Sequence, residues 1–160
     1  MKTGPGFRAL VAAVLAIVLV GGCSTYATGP SVTYTFDPRF GFAGLKTYRW
    51  AAARPVYGSD PLLEANVRFL ADGVMETRGL RSSADKVDFT MSVDYEVSSY
   101  RNELRTLTLN LARADNNALV WRGMATGAIK TDAASGELKG VVEGMLANFP
   151  PGAASAPGGG

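Results

Sequence analysis

The residue whose setting most clearly indicates chemistry is Cys23, the only cysteine in the 160-residue chain. It follows an uncharged apolar run from Ala9 to Val20, and the basic residues Lys2 and Arg8 precede that run. A positive segment, an apolar core of roughly 7 to 15 residues and small residues at the end form a secretory signal. The core is also shorter than the roughly 20 residues that a membrane-spanning helix needs. The sequence therefore predicts a cleaved signal peptide over residues 1–22.

The residues directly before Cys23 predict that it is lipidated. Val20, Gly21 and Gly22 match the lipobox, in which small residues precede a cysteine that is acylated on sulfur and becomes the first residue after cleavage. Several acyl chains hold a protein at a membrane far longer than one chain does. Because Ser24 rather than Asp follows, we expect a lipid-anchored envelope protein at the outer membrane, facing the periplasm. An ordinary signal peptide that ends near a cysteine is the alternative.

Two pairs of carboxylates have a spacing that could support acid–base chemistry of the glycosidase kind: Asp85 with Asp88, and Asp94 with Glu96. The second pair shares one face of a predicted strand, and we expect that face to meet solvent and leave both carboxylates ionised. The sequence contains no histidine and no second cysteine. Metal sites of the Cys and His type, disulfides and nucleophiles of the Ser-His-Asp type are therefore excluded. We therefore expect that the protein is not an enzyme and that it has no catalytic residue, no metal and no cofactor.

Two further sets of residues are candidates for binding. Aromatic side chains could line a groove for an apolar or sugar ligand, although their positions on predicted strands also fit the core: Tyr48, Trp50 and Trp121. Glycines at every fourth position of a predicted helix would form a smooth stripe, which allows close contact between helices: Gly136, Gly140 and Gly144. That stripe is a candidate docking face for a second copy or another envelope protein, and tolerated drift is the alternative.

The composition of the mature chain argues against nucleic acid as a partner. Of 16 Lys and Arg residues, two lie in the signal peptide, and the remaining 14 balance 14 Asp and Glu. Proteins that bind nucleic acids normally carry a basic surplus on one face. The 138 residues after the signal suit one domain. We expect a lipidated tether over residues 23–31, the domain over residues 32–151 and a disordered tail over residues 152–160.

Hydrophobic periodicity predicts five strands and two helices. In chain order they are strands over Val32 to Phe36 and Lys46 to Ala51, a helix between Asp60 and Gly79, strands over Asp88 to Val97, Thr106 to Leu111 and Leu119 to Lys130, and a helix over Ala133 to Phe149. The last three strands read as an antiparallel meander. The sequence thus predicts a two-layer α+β domain of order ββαβββα, with a mostly antiparallel sheet and both helices on one face.

The first helix has the clearest local signals. Asp60 followed by Pro61 favours a helix start, since Asp accepts from first-turn amides and Pro has no amide to satisfy. An apolar stripe that includes Leu63 and Val67 is expected to pack on the sheet. The opposite stripe is expected to be solvated: Glu64, Arg68 and Asp72.

Several ordered motifs resemble one bacterial family. They are FxGLKTYRW around Phe42 to Trp50, DPLL at Asp60, and then DFTMSVDY, LVWRGMA and ANFPP further along the chain. Together they are similar to the lipoproteins of domain of unknown function 4136, over about Val32 to Pro151. The resemblance implies an envelope lipoprotein of undetermined biochemical role, with no catalytic residue to transfer.

The expected function is non-enzymatic binding or scaffolding of another envelope component. The alternative is a periplasmic carrier or sensor of a small amphiphilic ligand, held between the sheet and the helices. An enzyme would have to rely on carboxylates, Tyr, Ser or Lys alone.

Overall fold

The computed structural model describes residues 29–52, 60–98, 103–132 and 136–151, so the signal segment, Cys23 and the tail lie outside the described residues. The described chain forms six strands and two helices. They are β1 (Ser31–Phe36), β2 (Thr47–Trp50), α1 (Pro61–Thr77), β3 (Arg81–Ser82), β4 (Phe89–Val97), β5 (Leu104–Arg113), β6 (Leu119–Ile129) and α2 (Glu137–Leu146). The two-layer α+β architecture is confirmed. Neither described helix is long and apolar enough to cross a membrane.

One mixed sheet carries all six strands in the spatial order β1-β6-β5-β4-β2-β3. The predicted meander is confirmed, since β4, β5 and β6 pair antiparallel, and β1 adds antiparallel to β6. The prediction of five strands in the order ββαβββα is wrong in detail. Strand β2 runs parallel to β4 and to the additional strand β3. Helix α1 supplies the crossover that a parallel neighbour requires, and a two-residue strand is too short to show alternation.

The helix ends follow local signals for α1 and depart from prediction for α2. The Asp60 carboxylate accepts hydrogen bonds from the amides of Leu62 and Leu63, and Gly79 has a φ of 78° just beyond the helix. Helix α2 ends at Leu146, three residues before the predicted end at Phe149. Because the position before Pro150 disfavours the α conformation, the chain leaves the helix and Phe149 turns into the core, where it is 2% exposed.

The core lies between the helices and one face of the sheet. Helix α2 packs on β6 and β1, and α1 packs on β3 and β4 and against α2. The largest fully buried side chains include Trp121, Tyr48, Phe89, Phe149, Met75 and Met91. Fully burying one such side chain contributes about 1.5 to 3 kcal/mol. This face therefore supplies the main stabilisation of the fold.

The polar stripe of α1 packs against β2, and the prediction that it is solvated is wrong. The Arg68 guanidinium donates to the Ala51 carbonyl at 2.9 Å and lies 5.2 Å from the centre of the Trp50 ring. The Asp72 carboxylate accepts a hydrogen bond from the Trp50 indole at 2.8 Å. Phe69 instead occupies the outer side of α1, where it is 77% exposed. The stripe faces the sheet because the Trp50 side chain provides a hydrogen-bond donor for Asp72 and a ring face for Arg68.

Candidate interaction surface

Strand β1 lies at one edge of the sheet, and all six of its residues are exposed. Its apolar side chains Val32, Tyr34 and Phe36 are 38 to 42% exposed. They pair across to Ala125, Gly123 and Trp121 of β6, which are buried. The three side chains therefore lie on the helix-covered side of the sheet, at the margin of the part that the helices cover. We call Val32, Tyr34 and Phe36, with their outward backbone groups, the edge surface.

The backbone of the same three residues points away from β6. The Asp37 amide donates to the Val120 carbonyl at 2.9 Å, in register with the β1–β6 pairs. Hydrogen-bonded and non-hydrogen-bonded pairs alternate along an antiparallel ladder. Ser31, Thr33 and Thr35 therefore bond to β6, whereas Val32, Tyr34 and Phe36 direct N–H and C=O groups outward. Within the described residues, no strand lies on that side of β1.

Aromatic contacts join the edge surface to the core. The Tyr34 and Phe36 rings stack with centroids 6.4 Å apart. Phe36 meets Phe42 edge-on at 6.1 Å, and Phe42 meets the buried Phe149 at 5.9 Å. The exposed rings are therefore held in place by a chain of contacts that ends in the core.

The three predicted docking glycines lie in three different settings. Gly136 caps α2 with a φ of 64°, a conformation that favours glycine. A Cβ atom at Gly140 would meet nothing within 4 Å, whereas one at Gly144 would lie 3.6 Å from a Val32 methyl group. Gly144 thus lies beside the edge surface, whereas Gly140 lies one turn earlier in α2 and faces open space. The docking role of the stripe stays a prediction.

Two of the three predicted groove aromatics are buried in the core. Tyr48 and Trp121 are 1% exposed, and Trp50 is partly buried. Tyr48 meets Trp50 edge-on at 6.2 Å, while Trp121 contacts Phe149 at 5.3 Å. Burial, reinforced by a hydrogen bond to Asp72, raises the pKa of Tyr48. The groove stays a prediction, and the structure places its aromatics among core side chains.

A surface pocket of about 450 Å³ lies elsewhere, at the loops around β2, β4 and β5. Its lining combines apolar side chains with charges of both signs: Phe40, Leu45, Arg49, Asp85, Lys86 and Asp88. The Asp88 carboxylate accepts from the amides of Lys46 and Thr47 at 2.8 and 2.9 Å. These bonds hold the pKa of Asp88 below its usual value. Asp88 therefore acts as a structural group in the wall of this pocket.

The second carboxylate pair lies on the sheet face that the helices leave uncovered. Oδ2 of Asp94 accepts from the Asn110 amide at 2.6 Å, and Oδ1 of Asn110 accepts from Arg122 Nε at 2.8 Å. Glu96 is exposed. In the described ranges, no three Cys, His, Asp or Glu residues group together as metal ligands. The sequence does not predict the burial of Asn110, because a polar residue at an outward strand position predicts solvent contact. In the structure Asn110 is only 9% exposed.

Comparison with known proteins assigns a family and a fold. The model of a family described as domain of unknown function DUF4136 matches residues 32–151. A DUF4136 protein from Bacteroides thetaiotaomicron is 14% identical, with a TM-score of 0.54 over 76% of this chain and 94% of that chain. A PelC dodecamer from Paraburkholderia phytofirmans is 16% identical, with a TM-score of 0.53 over 73% of this chain and 94% of that chain. No curated protein matches the sequence.

Proposed function

Since the chain belongs to the DUF4136 family, a family of unknown function, we propose that it is a non-enzymatic scaffolding protein of the bacterial envelope. In this proposal a lipid on Cys23 anchors the protein to the outer membrane, and the domain binds a protein component on the periplasmic side. The observation that carries the proposal is the edge surface of β1.

An uncovered strand edge is a binding feature because it offers a row of backbone donors and acceptors to another chain. Soluble proteins usually protect such edges with charge, proline, a bulge or a very short strand. Strand β1 has six uncharged residues in unbroken register with β6. The opposite edge of the sheet ends in the two-residue strand β3, which carries Arg81. The asymmetry supports a binding role for β1.

The position of β1 in the chain fits an anchored scaffold. Only seven residues separate Cys23 from Ser31. At about 3.3 to 3.6 Å per residue, a chain of this length spans at most about 30 Å. A lipid on Cys23 would therefore keep the edge surface close to the membrane and present it to components of the same membrane.

The PelC comparison supports assembly as the way in which this fold is used. PelC crystallised as a dodecamer, and its chain shares the fold of the present domain. A scaffold that assembles from copies of one small domain needs an exposed complementary surface, and the edge surface offers one.

Ligand carriage is the second candidate function, and the pocket at Phe40 favours it. Its apolar side chains, which lie beside Arg49 and Lys86 and also beside Asp85 and Asp88, suit a small amphiphilic molecule with a polar group. The pocket lies outside the space between sheet and helices that the carrier hypothesis used.

A pull-down from detergent-solubilised envelopes separates the two functions. The full-length chain is the bait, and mass spectrometry identifies both proteins and small molecules that elute with it. Cys23→Ala removes the anchor, Tyr34→Lys places a charge on the edge surface, and Phe69→Lys is the matched control on α1. A partner protein retained by Phe69→Lys and lost with Tyr34→Lys supports scaffolding. A small molecule bound without any partner, and lost with Arg49→Ala, supports the carrier instead.

A further inference from the structure

We infer that β1 pairs antiparallel with β1 of a second copy, so that Tyr34 lies opposite Tyr34 of that copy at a two-fold axis. This inference rests on the proposed scaffolding function and names its first partner. Its starting point is the edge surface, where the backbone groups of Val32, Tyr34 and Phe36 point outward.

The outward residues fit this symmetric register. With Tyr34 at the axis, Val32 of each copy lies opposite Phe36 of the other. All three outward positions then form hydrogen-bonded pairs, which gives roughly six new backbone hydrogen bonds. No outward donor or acceptor of Val32, Tyr34 or Phe36 is left over, so the register uses the whole edge.

Side chains on both faces of β1 are compatible with a copy of themselves. On the helix side, Tyr34 meets Tyr34 and Val32 meets Phe36, and aromatic and β-branched residues form favourable cross-strand pairs. On the other side Thr33 meets Thr35, and threonines opposite each other can hydrogen-bond. The strand contains no charged residue, so the two identical copies meet without charge repulsion.

The surroundings of β1 leave room for the second copy. Helix α2 stands beside the strand, with Gly144 against Val32. Gly140, one turn earlier in α2, has no side chain, and a Cβ atom there would have no neighbour within 4 Å. At Gly140 an approaching copy would therefore meet no side chain of α2.

The two edges of the sheet decide between symmetric and head-to-tail pairing. A head-to-tail contact would join β1 of one copy to β3 of the next, but β3 offers two residues and one of them is Arg81. Pairing of β1 with β1 in this register matches the five uncharged residues from Val32 to Phe36 with the same five residues of the second copy. A symmetric contact of this kind closes after two copies and does not extend into a fibre.

A charge-swap experiment on full-length processed protein in detergent tests the pairing. Native mass spectrometry is expected to find two copies, or an even multiple, for the unmodified chain. Tyr34→Lys and Tyr34→Glu each place like charges opposite one another, and each should weaken pairing by more than about tenfold. An equal mixture of the two variants should restore it as a mixed pair. Phe69→Lys, an equally drastic change on α1, should leave it unchanged.

Restored pairing in the mixture also shows that both variants are folded. A monomeric unmodified chain, unchanged pairing in both Tyr34 variants, or no recovery on mixing would each overturn the inference.

A second measurement uses Tyr34→Cys, because hydrogen-bonded antiparallel positions lie about 5.5 Å apart between Cα atoms, which suits a disulfide. Oxidation should give a linked dimer, and a paired but unlinked protein would contradict this register.

The outcomes separate this inference from the proposed function. A monomer that still captures a partner protein through the edge surface overturns the pairing and leaves scaffolding supported. A charge-swappable pair that captures nothing from envelopes supports the pairing and counts against scaffolding.

Discussion

The Tyr48 hydroxyl donates a 2.5 Å hydrogen bond to Oδ1 of Asp72, which ties the buried end of β2 to the middle of α1. The same oxygen accepts from the Trp50 indole at 2.8 Å. One carboxylate thus satisfies two aromatic donors at the junction between the layers. Because α1 forms the crossover between β2 and β4, this contact helps to position the parallel part of the sheet.

Replacing Asp72 with alanine should lower the free energy of unfolding by about 2 to 4 kcal/mol, because two largely buried donors lose their acceptor. Asp72→Asn keeps a carbonyl oxygen as acceptor and should cost less. Urea unfolding followed by circular dichroism measures both losses. Glu76→Ala, an exposed change one turn further along α1, is the control, and equal losses in Asp72→Ala and Glu76→Ala would contradict the anchoring role.

The raised pKa of Tyr48 predicts a loss of stability at high pH. In the folded chain burial favours the protonated phenol, whereas the unfolded chain releases its proton near the ordinary value of about 10. The stabilisation is therefore complete below about pH 10 and declines as pH rises above it. Urea midpoints between pH 8 and 11 should fall less steeply for Tyr48→Phe than for the unmodified chain. Tyr34→Phe, on the exposed strand β1, should leave the slope unchanged.

Local signals in the sequence predict most of the helices and strands. The order of the strands in the sheet, however, is known only from the structure. Asp60 and Pro61 predict the start of α1 to within one turn. The alternation of apolar residues in β4, β5 and β6, together with the short connections between these strands, predicts a meander. Alternation reports which side chains share a face, but it does not say which strands lie side by side. The parallel pairing of β2 with β4 therefore could not be inferred.

The candidate surface shows the same limit. The alternation of Val32, Tyr34 and Phe36 predicts a half-buried strand, whereas all six residues of β1 are exposed. Their exposure depends on β1 being the outermost strand, which is a property of the assembled sheet. The spacing of Asp72 along α1 likewise predicts solvent contact, and only its packing on β2 reveals the partners Tyr48 and Trp50.

Lipidation of Cys23 is expected to be detectable by metabolic labelling. Cells given an alkyne-bearing fatty acid should produce labelled protein in the membrane fraction, and Cys23→Ala should abolish both label and membrane retention. Ser24→Asp should keep the label but shift the protein from the outer to the inner membrane on a sucrose gradient. Label that persists in Cys23→Ala would show that the acyl chain is attached elsewhere.

Two glycine substitutions should act in opposite directions, because the neighbourhoods of the glycines differ. A Cβ atom at Gly123 would lie 2.5 Å from the Trp121 ring and 3.2 Å from Met145 Cβ. Gly123→Ala therefore forces the buried tryptophan and α2 to shift, and overpacking of this kind costs about 1 to 3 kcal/mol. Gly140→Ala meets open space and should stabilise α2 by up to about 1 kcal/mol, since alanine favours a helix interior over glycine.

Thermal unfolding of both variants beside the unmodified chain checks these signs. If Gly140→Ala is more stable and pairs as before, open space at this position is enough for the second copy, and the predicted glycine docking face loses its support. If the same substitution blocks pairing while Tyr34→Lys does not, contact between copies runs through α2 and the assignment to β1 is wrong. The comparison therefore distinguishes a strand-mediated contact from a helix-mediated one, with stability measured in the same samples.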